Sequence, residues 1–368
     1  VAPDLTDLDH TDDLDPGTPR LVIAGGALSS TTAEVWRAFV EARHGSGPLC
    51  VLPTASGNPE ASGASAAETL RGHAPEAEVR VLLLTVDNAG LATQAAFSEE
   101  LRRCSGYWFT GGSQSRITRT FRPNDIATKA WQTLVDRHAQ GAVIGGSSAG
   151  AAMMSSVMIA GGSSRDAIDH GLASSDDDPG VDIQPGMHLF DAGVIDQHFL
   201  ARGRIGRLLV TVLEHPEVQV GFGIDENTAL VVEADSAHVL GASGVVIVDG
   251  RNAASSGGNL HIWLAGQGDR FSLADLVPRV DPDKARLAPS NAVPPAPHDL
   301  FDRWVFLHWL DDFARTSSDR FTVDAGNGAT LEWAKSPGFS AHSVHPSRGP
   351  DDTPAGLSLG RLEVQLQR

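Results

Sequence analysis

From Leu21 onward the chain alternates short apolar runs with amphipathic stretches, in the order of strand, turn and helix. Leu21-Val22-Ile23-Ala24 is closed by Gly25-Gly26, and Thr31 to Ala42 then sets Val35, Phe39 and Val40 on an inward helical face. The same alternation predicts strands at Leu49 to Leu52, Val79 to Leu84, Tyr107 to Phe109 and Ala142 to Ile144. Helices are predicted over Pro59 to Arg71, Thr93 to Arg103, Ser115 to Phe121 and Pro123 to Ala139. Strands that are apolar throughout, repeatedly joined by helices, imply an α/β fold with a mostly parallel sheet covered by helices on both faces.

The alternation loosens after Ser148, where the Gly/Ser/Asp-rich stretch from Gly161 to Gly186 reads as a long surface loop carrying Asp176, Asp177 and Asp178. It resumes with strands at Gly193 to Ile195, Val218 to Ile224 and Ala229 to Glu233, and a helix over Ile205 to Leu213. Val239-Leu240, Val245 to Val248 and Leu260 to Leu264 read as a terminal meander. A domain edge is expected near Gly266, giving residues 21–266 as the catalytic α/β domain and 267–368 as a small α+β extension. That extension holds Pro294, Pro295 and Pro297, an amphipathic helix from Phe301 to Arg315, and strands around the turn signal Asn327-Gly328. Residues 1–20, rich in Asp with Pro and Gly, read as an acidic flexible tail.

Composition narrows the function. The 368 residues carry 28 Lys+Arg against 46 Asp+Glu, for a formal net charge of -18, which disfavours phosphate-rich partners. Nucleic acid and anionic membranes are therefore excluded as partners, and no apolar run approaches the roughly 20 residues of a spanning helix. Cys50 and Cys104 are too few for a zinc cluster or a disulfide framework and read as buried thiols. The first residue is Val1, which points to a processed or trimmed chain. Secretion or a periplasmic site is the expectation, with the cytoplasm left open.

Candidate chemistry gathers at predicted strand ends. Gly146-Ser147-Ser148-Ala149-Gly150 fits G-x-S-x-G between a strand and a helix, the setting of a nucleophile elbow. Outside that setting the pattern is a common loop sequence. The elbow would lift the Ser148 hydroxyl from the sheet and aim the Ala149 amide at a developing oxyanion. His198 follows a short strand in Asp196-Gln197-His198-Phe199, and Glu226 follows another in Asp225-Glu226-Asn227-Thr228. Ser148, His198 and Glu226 would converge if their strands lay side by side at one sheet edge, with the acid pushing the histidine pKa upward. Thr110-Gly111-Gly112-Ser113-Gln114 should reach the same edge, where Gly112 offers a second oxyanion amide by analogy with other serine acyl transferases, or simply makes a tight turn. Arg202, Arg204 and Arg207 suit bidentate capture of carboxylates, or alternatively brace a solvated helix start.

Together, Phe109 to Gln114, Gly146 to Gly150, Asp196 to Phe199 with Arg202 to Arg207, and Gly223 to Leu230 resemble the cyanophycinase family in order and spacing. The resemblance covers about Leu21 to Gly266. It implies a sheet like that of class I glutamine amidotransferases and aspartyl dipeptidase E. The implied activity is serine exopeptidase cleavage of cyanophycin into β-Asp-Arg dipeptides. It implies Ser148 as nucleophile, His198 as base and Glu226 as orienting acid, with substrate contacts from Gln114, Asp196, Gln197, Arg202, Arg204 and Arg207, and it calls for no cofactor and no metal. Ser147 stands where the family generally has Thr, and Ser113 where it generally has Asp. An aspartyl dipeptidase of the same fold and a non-catalytic polymer-binding relative are the competing readings. A homodimer stays open.

Overall fold

The computed structural model describes residues 18, 20–175, 177–290, 296–344 and 356–368. The acidic segment 1–17, Asp176 and the prolines at 294 and 295 lie outside them. Strands β1 (Arg20–Ala24), β2 (Leu49–Leu52), β3 (Val79–Val81), β4 (Gly106–Phe109) and β5 (Val143–Ser147) alternate with helices α1 (Ala33–Glu41), α2 (Pro59–His73), α3 (Ala95–Arg102), α4 (Gln114–Phe121) and α5 (Lys129–Ala139). Their order is β1-β5-β4-β2-β3, every pairing parallel. Local sequence starts two of these helices. Asn58 caps α2 through Ala61 N–H with Pro59 in the first turn, and Thr128 caps α5 through Trp131 N–H.

The next stretch supplies α6 (Ala149–Ala152), β6 (Val157–Ile159), α7 (Ser164–His170), β7 (Ile183–Pro185), β8 (Val194–Gln197), α8 (Ile205–Glu214) and β9 (Val220–Ile224). It is followed by β10 (Thr228–Glu233), β11 (Ser236–Gly241), β12 (Gly244–Asp249), β13 (Leu260–Gly266) and β14 (Arg270–Ser272). The last segment holds β15 (Ala285–Arg286), α9 (Val305–Arg315), β16 (Arg320–Gly326), β17 (Ala329–Lys335), β18 (Ala341–Ser343) and β19 (Ser358–Gln367). The α/β class expected from the sequence is what the chain adopts, and its first sheet is mostly parallel. The later strands, however, divide between two sheets. β10, β11 and β14 extend the first sheet antiparallel from β1, while β8, β9, β12, β13 and β19, continued by β15 to β18, form a second sheet in which β8 and β9 are parallel.

Side-chain alternation explains how the sheets stack. On β1, Val22 and Ala24 face Val35 and Phe39 of α1, while Leu21 and Ile23 face Phe222, Ile224, Val245 and Ile247 of the second sheet. On β12, Val246 and Val248 turn the opposite way, into a core shared with Leu208 of α8 and with α9, whose Phe306 and Trp309 pack on Trp333 of β17. The period of two places each sheet between two apolar neighbours, so at β1 the layers run helix, sheet, sheet, helix, while beside β2 and β4 helices α3 to α5 share that inner core. Phe39 is fully buried, and cutting such a ring to Ala costs about 3–5 kcal/mol.

Three expectations need correction. Cys50 and Cys104 are not free thiols but a disulfide joining β2 to the turn after α3. An apolar neighbourhood in the sequence signals burial equally well for a thiol and a half-cystine. The stretch 161–186 is not an open loop, because Ser163 caps α7 in a capping box and β7 pairs with β6. The segment 267–368 does not stand apart as a cap: β14 joins the first sheet, β19 pairs with β13, and α9 shares the core under β12.

Candidate active site

The carboxyl end of β1 is the hub of the site. Ala24 O accepts Ser148 N–H at 3.0 Å, Gly25 O accepts His198 N–H at 2.7 Å, and Gly26 O accepts Asn227 N–H at 3.0 Å. Three successive carbonyls thus tie together loops from both sheets. Ser148 leaves β5 of the first sheet, and His198 leaves β8 of the second. Glu226 lies on the crossing from β9 in the second sheet to β10 in the first. The three strand ends therefore meet at a seam, not along one sheet edge, because the chain changes sheet at Asp225 to Asn227.

At the elbow Ser148 has φ 57 and ψ -112, a conformation costly for a residue with a Cβ. The turn is tight because Gly146 and Gly150 let backbones cross. A Cβ on Gly146 would stand 2.4 Å from Gly150 O, and one on Gly150 would stand 2.3 Å from Phe109 O. Ala149 opens α6, so its N–H belongs to a first turn with no partner inside the helix. Gly111-Gly112 passes beside the hydroxyl, with a Cβ built on Gly111 falling 3.7 Å from Ser148 Oγ.

His198 Nε2 lies 3.0 Å from Ser148 Oγ, and Nδ1 lies 2.7 Å from Glu226 Oε1. With Nδ1 protonated toward the carboxylate, Nε2 is left as an acceptor facing the hydroxyl. Gln197 Oε1 also lies 3.3 Å from Ser148 Oγ. The His198 side chain is 8% exposed and sits against Gly26 (φ 122), where a Cβ would come within 2.3 Å of Nε2. Burial, helped by Arg202 and Arg204, lowers the His198 pKa below the ordinary histidine value despite the opposing pull of Glu226. The upward push expected from Glu226 is present but outweighed, since desolvation disfavours the imidazolium more than its acid partner favours it.

The remaining residues named from sequence separate into an inner and an outer group. Asp196 is buried, accepting Arg207 Nε at 2.7 Å and, at its other oxygen, Arg207 Nη2, while Arg207 Nη1 donates to Gly162 O at 2.7 Å. Arg204 donates to Gln197 O at 2.6 Å and lies 3.5 Å from Asp196 Oδ1, its pKa lowered by burial to about 10. Gln114, also buried, donates to Ile159 O at 2.9 Å and fixes β6. Gln114, Asp196 and Arg207 are thus engaged inside the protein, and Arg207 is a buried partner of Asp196 on β8 rather than a brace at a solvated helix start. Arg202 stays at the mouth with its side chain 50% exposed, its Nε 3.9 Å from Glu226 Oε1. A cavity of about 240 Å³ beside it is lined by Arg165, Arg202, Arg204, Phe301 and an edge of Arg207.

Two contributors were not foreseen. Asp225 is fully buried, accepts Ala201 N–H at 2.9 Å and Ser243 Oγ at 2.7 Å, and is pushed by burial up to about 6. It braces the turn that presents Glu226. The only sequence signal was its place beside Glu226. Arg303, whose Nη2 lies 3.6 Å from Glu226 Oε2, comes from the far segment and gave no signal at all. Among the described residues, no cluster of three or more His, Cys, Asp or Glu is set to hold a metal, and no helix is long and apolar enough to cross a membrane.

An elbow serine, a buried imidazole and an orienting carboxylate on an α/β scaffold define the class: a serine-type hydrolase. The comparisons give the family. Residues 21–240 match the model of peptidase family S51, and the chain belongs to that family. A cyanophycinase of a Nostoc species is 30% identical over 272 residues, spanning 70% of this chain and 86% of its own. A cyanophycinase of Synechococcus elongatus is 32% identical over 236 residues, spanning 61% and 69%. In fold, the chain is similar to the crystal structure of a peptidase from an acI-B1 Actinobacterium, with a TM-score of 0.53 at 21% identity, covering 69% of this chain and 97% of that one.

Proposed function

We propose that this peptidase hydrolyses cyanophycin to β-Asp-Arg dipeptides through an acyl-enzyme. The observation that carries the reading is the hydrogen-bond chain from Ser148 through His198 to Glu226. The cyanophycinases among its relatives support the choice of polymer. In the first half-reaction Ser148 Oγ attacks the scissile carbonyl carbon as its proton passes to His198 Nε2. Glu226 stabilises the imidazolium, and the amides of Ala149 and Gly112 receive the oxyanion. His198 then returns the proton to the leaving amine as the C–N bond breaks, which leaves an acyl ester on Ser148. Water attacks the ester, giving its proton to His198, and the product acid leaves as Ser148 Oγ recovers a proton.

The substrate fits the mouth electrostatically. In a β-Asp-Arg unit the arginine is joined through its α-amino group, so each repeat offers an α-carboxylate as well as a guanidinium. Exposed arginines such as Arg202 would then read every repeat, not only the end of the chain. An oxidising compartment, secreted or periplasmic, fits the Cys50–Cys104 disulfide. The test is digestion of purified cyanophycin by the intact chain and by Ser148→Ala, with product mass as readout. Dipeptide from the first and none from the second is expected. Cleavage of short α-Asp dipeptides with cyanophycin left intact would replace this reading by an aspartyl dipeptidase.

A further inference from the structure

The stretch from Asp299 to Trp304 reaches the active site from outside residues 21–240, the part that matches the family. It is held there by three independent contacts. Trp304 N–H donates to Leu200 O at 3.2 Å, two residues past His198. Phe301 O lies so close over Gly203 that a Cβ there would fall 2.0 Å from it. Asp299 forms an ion pair with Arg165 of α7. The sequence predicts a helix from Phe301, but α9 begins only at Val305, because Trp304 takes a left-handed φ of 65. That break leaves residues 301–304 as a non-helical wall beside the cavity, with Phe301 in its lining.

On this wall Arg303 is 65% exposed, with Nη2 3.6 Å from Glu226 Oε2, and Arg202 flanks the other carboxylate oxygen. A charge-assisted bond of full strength is shorter, about 2.7–2.9 Å. Glu226 therefore keeps the guanidinium near without saturating its donors. The inner pair differs, since Arg207 is committed to Asp196. We propose that Arg303 is a specificity-determining residue that, with Arg202, receives a substrate carboxylate at the mouth of the site. The proposal rests on the cyanophycin reading, in which the carboxylate is the α-carboxylate of an arginyl side group. In a chain of net charge -18, this cation comes from a segment outside residues 21–240.

The test compares two synthetic oligomers of the β-Asp-Arg repeat, one with free arginyl carboxylates and one with them amidated. For Arg303→Gln, kcat/KM on the free oligomer should fall about tenfold to a hundredfold, the loss expected of a charged bidentate contact. On the amidated oligomer the same substitution should change kcat/KM by less than about threefold, since no carboxylate remains to be read. Arg303→Lys, which keeps the charge and loses the planar fork, should recover part of the loss on the free oligomer only. Equal losses on both oligomers would overturn the proposal, because Arg303 would then act through Glu226, and so would the absence of any loss. Wild-type failure on both oligomers would overturn the cyanophycin reading and this assignment with it, whereas wild-type cleavage with equal losses overturns this assignment alone.

Discussion

The two sides of the active site are built by different means. Ser148 is delivered by a local device: a buried parallel strand, a pair of glycines and a short helix, all within ten residues of one another in the sequence. His198 and Glu226 are delivered by long-range pairing, since β8 and β9 belong to a second sheet, and the loops carrying both residues bond to the end of β1. The proposed nucleophile is thus fixed chiefly by its own turn, and the proposed base by a distant backbone. Where two sheets share one strand end as a reference, small errors on either side translate into misaligned reacting atoms.

Removing the chemistry from either side gives the largest effect. Ser148→Ala should lower kcat by roughly ten-thousandfold or more, with Glu226→Gln costing less because the acid orients and stabilises rather than attacks. Steady-state kinetics on cyanophycin check both, and near-native turnover by Ser148→Ala would remove the serine from its role. Stability separates the sides next. Arg207→Ala leaves Asp196 buried without its bidentate partner and should destabilise the protein by about 3–5 kcal/mol. Denaturant titration reads that loss, and a change below about 1 kcal/mol would mean that the pair is not a structural element of the base side.

The hub itself is tested by Gly26→Ala. The substitution puts a methyl group where the His198 ring sits, at a backbone φ that disfavours any side chain. A displacement of about 1 Å in the base costs on the order of a hundredfold in kcat. Ser148 should meanwhile keep its elbow geometry, and crystallography of the variant would show whether only the histidine side has moved.

How much of this was legible in the sequence follows from the same contrast. The first sheet and the elbow rest on local signals, such as the apolar run Leu21 to Ala24, the caps at Asn58 and Thr128, and the glycines around Ser148. They could be read because each signal lies within one strand–turn–helix unit. His198 and Glu226 could be picked out as residue types at strand ends, but their meeting across a seam could not. Alternation in Val245 to Val248 specifies two buried faces without saying which sheet each one meets. Arg207 shows the limit most clearly: a guanidinium near a helix start reads identically whether it faces a substrate or a buried Asp196. The Cys50–Cys104 bond fails for the same reason, as pairing at a separation of 54 residues leaves no local trace.

The smallest effect, and the one that weighs the two sides against each other within a single residue, is the pH profile. His198 must be neutral to accept the Ser148 proton, so kcat/KM should rise with pH through an apparent pKa below the ordinary histidine value of about 6.5. Burial lowers that value, Arg202 lowers it further, and the hydrogen bond His198 donates to Glu226 raises it. Arg202→Gln should therefore move the acid limb to higher pH, and Glu226→Gln to lower pH, each by about a unit or less. The two shifts carry opposite signs on either side of one imidazole, which a general loss of structure would not produce. Stability follows the same sign. The unfolded chain takes up a proton near pH 6.5 before the buried imidazole does, so the stability is full above that value and declines as the pH falls. His238, held by burial down to about 4, adds to the same decline. Thermal melts of Ser148→Ala between about pH 4 and 8 read the stability term without turnover, and kinetics of the two Gln variants read the catalytic one. An acid limb that stays in place in both variants would show that the group titrating in catalysis is not His198.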